Sequence, residues 1–202
     1  LHLAAGFNYA IFDWRNEISA KGFFLDAEAV YQELRSQFEP SQIKPMGSCR
    51  STFVVAHLKE LHHNEGVEVV MMHTPPSLRA VVAHTMWPAN RIGLLGLGSI
   101  ERDGADFDTL RRYQSLRPGN AATCLIVSEG DKTIPVNEAA QLEAAVKKSG
   151  PCELIIEPKK DDKADPHFGE PLRNPEVLKK YLRFLGGQKE EALQRNAQDQ
   201  KS

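Results

Sequence analysis

Three short apolar runs, separated by stretches of helical periodicity, constrain the fold of this chain more than any other feature. They lie at residues 67–72, 122–128 and 152–157. These runs lack the regular apolar–polar alternation of a strand that has one face in water. Strands of this kind are buried on both faces, because helices cover both sides of a parallel sheet. The sequence therefore predicts an α/β fold with three α/β/α layers around a mostly parallel sheet.

Helices and two weaker strands complete the predicted order. The spacing of apolar residues predicts helices at residues 25–38, 49–63, 137–149 and 175–185. Asn174 and Pro175 suit the N-cap and the first position of the last helix. Weaker strands are predicted at residues 8–14 and 42–48. We predict one domain over residues 1–187, followed by a polar tail at residues 188–202.

Residues 77–119 interrupt this rhythm. They contain helical stretches at 78–84 and 108–116 and a glycine-rich run at 93–98. Such a segment between two strands predicts a small helical cap insertion. Trp87 and the neighbouring leucines indicate an apolar wall for an acyl or aromatic group. The alternative is that these residues only pack the cap onto the sheet.

Composition and charge exclude one class of partner. The chain has 202 residues, of which 41% are hydrophobic and 26% are charged, and this is enough to build a core. The formal net charge is −2, with both signs interspersed. A nucleic-acid-binding domain normally carries a one-sided basic excess, so we expect no nucleic-acid partner.

Membrane insertion, secretion and cofactor binding are not expected either. No apolar run approaches the roughly 18 residues that cross a bilayer. The first residues lack the layout of a secretory signal, and the three cysteines are too scattered for a disulfide framework or a zinc site. We therefore expect a cytoplasmic protein. Histidine spacing fits no metal motif and no phosphate-binding glycine loop is present, so no metal and no cofactor is expected.

The candidate nucleophile is Cys49, which lies between a predicted strand and a predicted helix. A nucleophile at the apex of a sharp strand-to-helix turn needs small residues two positions before and two positions after it. Gly47 and Ser51 occupy those positions. We expect the helix to lower the pKa of Cys49, and the backbone N–H of Arg50 to supply one oxyanion donor. A structural cysteine at the start of a helix is the alternative.

A candidate acid and a candidate base follow later strands. Asp131 comes just after the strand at 122–128 and could fix the tautomer of an imidazole. Glu129 is the rival acid, and an ordinary turn residue is the alternative for Asp131. His167 follows the strand at 152–157 and could act as general base toward a thiol. Alone it would read as a surface histidine, but the order of nucleophile, acid and base along the chain favours all three together.

Ser48 and His73 are the remaining pocket candidates in this part of the chain. With Ser48 as the nucleophile, Met46 and Arg50 would occupy the small positions, so this frame is disfavoured and Ser48 is assigned to the pocket rim. His73 directly follows the strand at 67–72. It either lines the pocket or belongs only to the turn that precedes two prolines.

Four short motifs in this order resemble the α/β-hydrolase superfamily. Asp13-Trp14-Arg15 resembles the run after the family's fourth strand, and Gly47-Ser48-Cys49-Arg50-Ser51 resembles its nucleophile elbow. Gly130-Asp131 with Pro135 is similar to the acid loop, and His167-Phe168 to the pair that carries the base. The Cys nucleophile is similar to that of the dienelactone-hydrolase-like branch. The resemblance implies a hydrolase of ester, thioester or lactone bonds, with a Cys-His-Asp triad and a small-molecule acyl substrate.

Two departures from the family pattern qualify this expectation. Ser51 stands where the elbow usually has Gly. In the family, three strands precede the point where this sequence begins, and the third lies between the strand at 8–14 and the strand before Cys49. We therefore expect an N-terminally incomplete sheet: either the chain is a fragment, or another segment or a partner chain fills the gap. The alternative functions are a catalytically inactive scaffold or, with Cys49 alone, a redox-sensing thiol.

Overall fold

A short parallel sheet forms the centre of the molecule. The computed structural model of the chain describes residue 10 and residues 20–85, 107–134, 136–159 and 171–186. The strands are β1 (Met46–Ser48), β2 (Val69–Met72), β3 (Thr123–Ser128) and β4 (Cys152–Glu157). All neighbouring pairs are parallel and the order is β1-β2-β3-β4, so each strand pairs with the next in sequence. The carboxyl ends of all four strands therefore lie along one edge.

Six α-helices in the described ranges connect and cover these strands. They are α1 (Ala20–Arg35), α2 (Thr52–Leu61), α3 (Leu78–Thr85), α4 (Thr109–Ser115), α5 (Val136–Ser149) and α6 (Pro175–Phe184). No helix in those ranges is long and apolar enough to cross a membrane.

Each face of the sheet has its own apolar core. On one face, Met71 and Leu125 pack with buried residues of α1, α2, α4 and α5. On the other face, Val70 and Ile126 pack against α6, which contributes the buried residues Val177, Leu178, Tyr181 and Leu182. Because successive strand residues point to opposite faces, an uninterrupted apolar run can fill both cores. This confirms the predicted three-layer arrangement around a parallel sheet.

The predicted elements are found with shifted ends. The expected strand at 42–48 is shortened to β1, because Pro40–Gln42 form a 3₁₀ turn. The helix expected from residue 49 begins with a 3₁₀ turn at Cys49–Ser51 and becomes α-helical at Thr52. In α6, Asn174 accepts a hydrogen bond from the Glu176 backbone N–H, as predicted for its N-cap.

The start of the predicted cap segment at 77–119 pairs with a residue within that segment. Ser77 and Asp108 form an antiparallel bridge, and the Leu78 N–H donates to the Phe107 carbonyl. The helical stretches predicted at 78–84 and 108–116 correspond to α3 and α4. Residues 86–106, the strand predicted at 8–14 and the tail at 188–202 lie outside the described ranges, so the cap, the incomplete sheet and its partner stay predictions.

Candidate functional site

Cys49 sits at the apex of a sharp turn between β1 and α2. Its φ is 52°, in the left-handed backbone region that residues other than glycine rarely adopt. Ser48 before it is extended, with φ −127° and ψ 139°, and Thr52 three residues later is already helical. Only Cys49 and His73 have positive φ among the described non-glycine residues. The strand, strained apex and helix follow one another as the predicted elbow requires.

The two small positions of the elbow have different physical roles. A Cβ on Gly47 would lie 2.8 Å from the Ser51 backbone C and O and 2.9 Å from Val55 Cγ2, so only glycine fits there. Ser51 fits in place of the usual glycine because its hydroxyl closes the turn. Its Oγ accepts from the Ser48 N–H at 2.8 Å and donates to the Ser48 carbonyl at 2.8 Å.

The thiol of Cys49 is half-buried, and its electrostatics differ from the expectation. Burial raises the pKa of Cys49, and the charge of Asp131 raises it further. A hydrogen bond from the Arg50 backbone and the Arg50 charge act in the opposite direction but do not outweigh burial. The expected lowering of the Cys49 pKa is therefore wrong in sign, because desolvation of the thiolate exceeds the stabilisation available at the turn.

Asp131 is a buried acid that follows β3, two strands away from β1 in the sheet. Its Oδ1 accepts hydrogen bonds from the backbone N–H groups of Thr133 and Ile134, both at 2.8 Å. Glu129, the rival acid, is exposed and accepts from the Lys159 N–H at 3.3 Å. Asp131 is 7% exposed and its charge acts on Cys49, but its assignment as the acid stays a prediction.

His73 lies beside this acid. It directly follows β2, has a φ of 48° and is 2% exposed. Its Nδ1 lies 3.4 Å from Oδ2 of Asp131, and its backbone N–H donates to the Ile126 carbonyl at 2.9 Å. The sequence predicted that His73 either lines the pocket or belongs to a turn, and it did not predict the pairing of His73 with Asp131. The position directly after a buried strand, next to the strand of Cys49, was the available signal.

A cavity of about 240 Å³ opens beside the thiol. Its described lining consists of Phe23, Ser48, Cys49, Arg50, Ser51, Val54 and Phe107. The Arg50 guanidinium lies 5.5 Å from the centre of the Phe23 ring. Ser48 belongs to this described lining, whereas His73 does not. Trp87 and His167 lie outside the described residues, so their assignments stay predictions.

The other two cysteines also have raised pKa values. Burial raises the pKa of Cys124 to about 12 and that of Cys152 to about 11. Within the ranges that the structure describes, no three His, Cys, Asp or Glu side chains are grouped so that they could hold a metal ion. The chemistry available in the described site is that of a thiol, a carboxylate and an imidazole.

Comparison with known proteins identifies the fold that holds this site. No protein-family model and no curated protein matches the chain. Among solved structures, it is similar to an acetyl xylan esterase from Paenibacillus sp. R4, with a TM-score of 0.60 and 16% identity over 90% of this chain and 60% of that one. A thermophilic esterase from Thermogutta terrifontis, solved with butyrate bound, gives 0.57 and 16% over 88% and 69%.

The acylaminoacyl peptidase of Pyrococcus horikoshii gives a TM-score of 0.55 and 17% identity over 83% of this chain and 28% of the peptidase. The chain thus spans only part of the length of these structures. Sequence identities this low indicate a shared architecture but not a shared activity. Taken with the parallel sheet and the elbow, they show that this chain has the α/β-hydrolase fold.

Proposed function

We propose that this protein hydrolyses ester bonds of small acyl substrates, with Cys49 as the nucleophile. The observation that carries the proposal is the left-handed backbone of Cys49, whose φ is 52°, at the tip of the elbow. Backbone strain of this kind costs of order 1–3 kcal/mol and persists where surrounding structure enforces it. Gly47 and Ser51 enforce it here, and the result presents the thiol to the cavity. The esterase neighbours support the same reaction class.

The raised pKa of Cys49 determines how the reaction begins. The thiol enters the reaction protonated, so a base must accept its proton as sulfur attacks the carbonyl carbon. We assign this base to His167, with Asp131 holding its ring. The protonated imidazole then gives the proton to the leaving alcohol as the C–O bond breaks, and an acyl thioester remains on Cys49. Water, deprotonated by the same imidazole, releases the acid and restores the thiol.

The charge that develops on the carbonyl oxygen needs hydrogen-bond donors. The Arg50 backbone N–H already makes a hydrogen bond that favours the thiolate form of Cys49. A donor in that place is suited to the developing oxyanion, and removal of one such donor typically costs about 10²–10³ in rate. The rings of Phe23 and Phe107 provide apolar walls for the acyl group, with Arg50 at the rim.

Intact-mass spectrometry with p-nitrophenyl acetate tests this proposal. Wild type is expected to gain one acetyl group on Cys49, and the adduct is expected to decay as water discharges it. Cys49→Ala should remain unmodified, whereas Cys152→Ala, which removes another half-buried thiol, should behave as wild type. A folded wild-type protein that never acquires the adduct, or acquires it equally in Cys49→Ala, contradicts the proposal.

A catalytically inactive scaffold is the second candidate function. The observation that favours it is the pKa of Cys49, which burial and the charge of Asp131 raise when a reactive thiol would have it lowered. In a scaffold the cavity beside Cys49 would hold a ligand without attack on it. Absence of the acetyl adduct from a folded full chain is the outcome that this candidate requires.

A further inference from the structure

His73 and Asp131 form a buried pair at the carboxyl edge of the sheet. The His73 side chain is 1% exposed, the Asp131 side chain is 3% exposed, and Nδ1 lies 3.4 Å from Oδ2. A carboxylate removed from water is costly unless hydrogen-bond donors surround it. Thr133 and Ile134 supply two donors to Oδ1. Nδ1 of the imidazole lies within ion-pair distance of the other oxygen.

The strand order explains how this pair relates to Cys49. Ser48 at the end of β1 is opposite Met72 at the end of β2, so Cys49 and His73 each come directly after a matched position on adjacent strands. Ile126 on β3 is opposite Met72 in turn. Three consecutive strand ends therefore deliver a thiol, an imidazole and a carboxylate to one edge.

The backbone at His73 is held in an unusual conformation. A φ of 48° at a non-glycine residue is uncommon, and the backbone N–H of His73 is nevertheless anchored to the Ile126 carbonyl. An extended residue at this point would send its side chain in another direction. The left-handed turn directs the ring toward the acid loop after β3, and this is a specific placement with a conformational cost.

We propose that His73 is a positioning residue, whose Nδ1–H holds Oδ2 of Asp131 while the Thr133 and Ile134 N–H groups hold Oδ1. The inference rests on the proposed function in one respect, since the carboxylate so fixed is the acid of the Cys49 reaction. A carboxylate oxygen has lone pairs for more than one donor, so the contact with His73 is compatible with a second imidazole on Asp131. His73 thus acts through Asp131 and does not itself touch the substrate.

The proposed pairing requires the tautomer of His73 in which Nδ1 carries the proton. A carboxylate can only accept a hydrogen bond, so Nδ1 is the donor in this pairing. Long-range ¹H–¹⁵N NMR of the labelled full chain reads this tautomer directly, with His73→Asn used to assign the signal. We expect the Nδ1–H tautomer in wild type and its loss in Asp131→Ala. This measurement requires neither substrate nor turnover.

A matched pair of substitutions tests the effect on the reaction. Asn and Gly both tolerate a left-handed backbone, but only Asn keeps a donor near the place of Nδ1. With p-nitrophenyl acetate we expect His73→Gly to lower kcat by about 10- to 100-fold with little change in KM, as groups that orient a reacting residue typically do. His73→Asn should recover most of kcat. His63→Asn, which changes a histidine at the opposite end of α2, should match wild type.

The outcomes separate this inference from the proposed function. An Nε2–H tautomer in wild type, or wild-type kcat in folded His73→Gly, overturns the positioning role and leaves the Cys49 reaction untouched. Equal losses of kcat in the Asn and Gly variants also overturn it, because the donor would then be irrelevant. A wild type that forms no acetyl adduct but shows the Nδ1–H tautomer, lost in Asp131→Ala, supports the pairing and rejects the reaction.

Discussion

Two regions beside α2 each contain a histidine with carboxylate partners, and they are built in opposite ways. Near the N-terminal end of α2, where Cys49 and His73 follow matched positions on adjacent strands, His73 and Asp131 are almost fully buried, and both His73 and Cys49 have left-handed backbones. At the C-terminal end, His62 lies between two carboxylates, with Nδ1 2.7 Å from Glu65 and Nε2 3.0 Å from Glu28. The first end stores backbone strain, whereas the second gains stability from paired charges.

The charges at the C-terminal end reinforce one another. Burial opposes a charge on His62, but Glu28 and Glu65 outweigh it and raise the pKa of His62. Tyr31 and Arg35 donate to Glu65 at 3.2 and 3.1 Å. Burial and the Glu65 charge raise the pKa of Tyr31 to about 12, so its hydroxyl stays a donor. This cluster of His62, Glu28, Glu65, Tyr31 and Arg35 joins α1 to the end of α2.

A buried lysine fixes α2 between its two ends. Lys59 Nζ donates to the carbonyls of Val67 at 2.6 Å and Ala121 at 2.9 Å, just before β2 and β3. Burial lowers the pKa of Lys59 to about 8. Strain at one end of a helix persists only if the rest of the helix cannot move to relieve it. The difference between the two ends therefore shows how a stable framework can hold a strained site.

Crowding at the elbow is expected to give the largest change in stability. Gly47→Ala places a Cβ 2.8 Å from the Ser51 backbone, and overpacking of this kind costs about 1–3 kcal/mol in the free energy of unfolding. Urea unfolding measures the loss. Gly47 has no left-handed φ, so the loss would come from crowding and not from backbone conformation. If Gly47→Ala leaves the free energy of unfolding unchanged, the elbow relaxes and is not rigidly held.

Relief of strain at Cys49 should act in the opposite direction. A left-handed backbone has no energetic cost for glycine, whereas for other residues it costs about 1–2 kcal/mol. Cys49→Gly is therefore expected to unfold at higher urea than Cys49→Ala, by about 1 kcal/mol, although neither variant has a nucleophile. Equal stability of the two variants would show that the turn stores no strain.

The cluster around His62 should give the smallest effect, and its sign depends on pH. The pKa of His62 is raised, so its contribution is complete below its ordinary value of 6.5 and is lost as the pH rises through the raised value. The pKa of Glu28 is lowered, so its contribution is present above 4.5 and is lost on acidification. Glu28→Gln should therefore destabilise by about 0.5–1 kcal/mol near pH 5.5, as exposed ion pairs do.

The same substitution should have a smaller effect at about pH 8.5 than at about pH 5.5, because the charge on His62 is lost as the pH rises through its raised pKa. Thermal unfolding at the two pH values measures this difference. Glu33→Gln, on the same helix and bonded to Gln37, is the control and should show no such pH dependence. An equal loss for Glu28→Gln at both pH values would mean that its role is packing and not charge.

Local sequence patterns predicted the elements but not the contacts across strands. The apolar runs determine β2, β3 and β4 because each must fill two cores, and Asn174 with Pro175 marks the start of α6. The elbow is visible because a close backbone approach demands Gly47, a constraint that acts over four residues. The His73–Asp131 pair joins residues 58 positions apart by sequence number, and its existence depends on strand register and on a left-handed φ that no pattern near His73 encodes.

The sign of the Cys49 pKa was missed for a related reason. The turn and helix that favour a thiolate are local, whereas burial of the thiol and the charge of Asp131 come from tertiary packing. The sequence thus predicts properties that depend on neighbours along the chain, and it does not predict those that depend on contacts between strands.

The unequal lengths of the strand pairs bear on how the molecule opens. β3 and β4 are matched over six residues and joined through a single helix, so they form a unit of contacts that are local in sequence. β1 is matched with β2 over only three residues. Separation of β1 from β2 breaks fewer of the described ladder bonds than separation of β3 from β4, and so requires less free energy. Amide exchange would accordingly be faster at β1, and the thiol of Cys49 would become accessible through fluctuations that leave the acid loop folded.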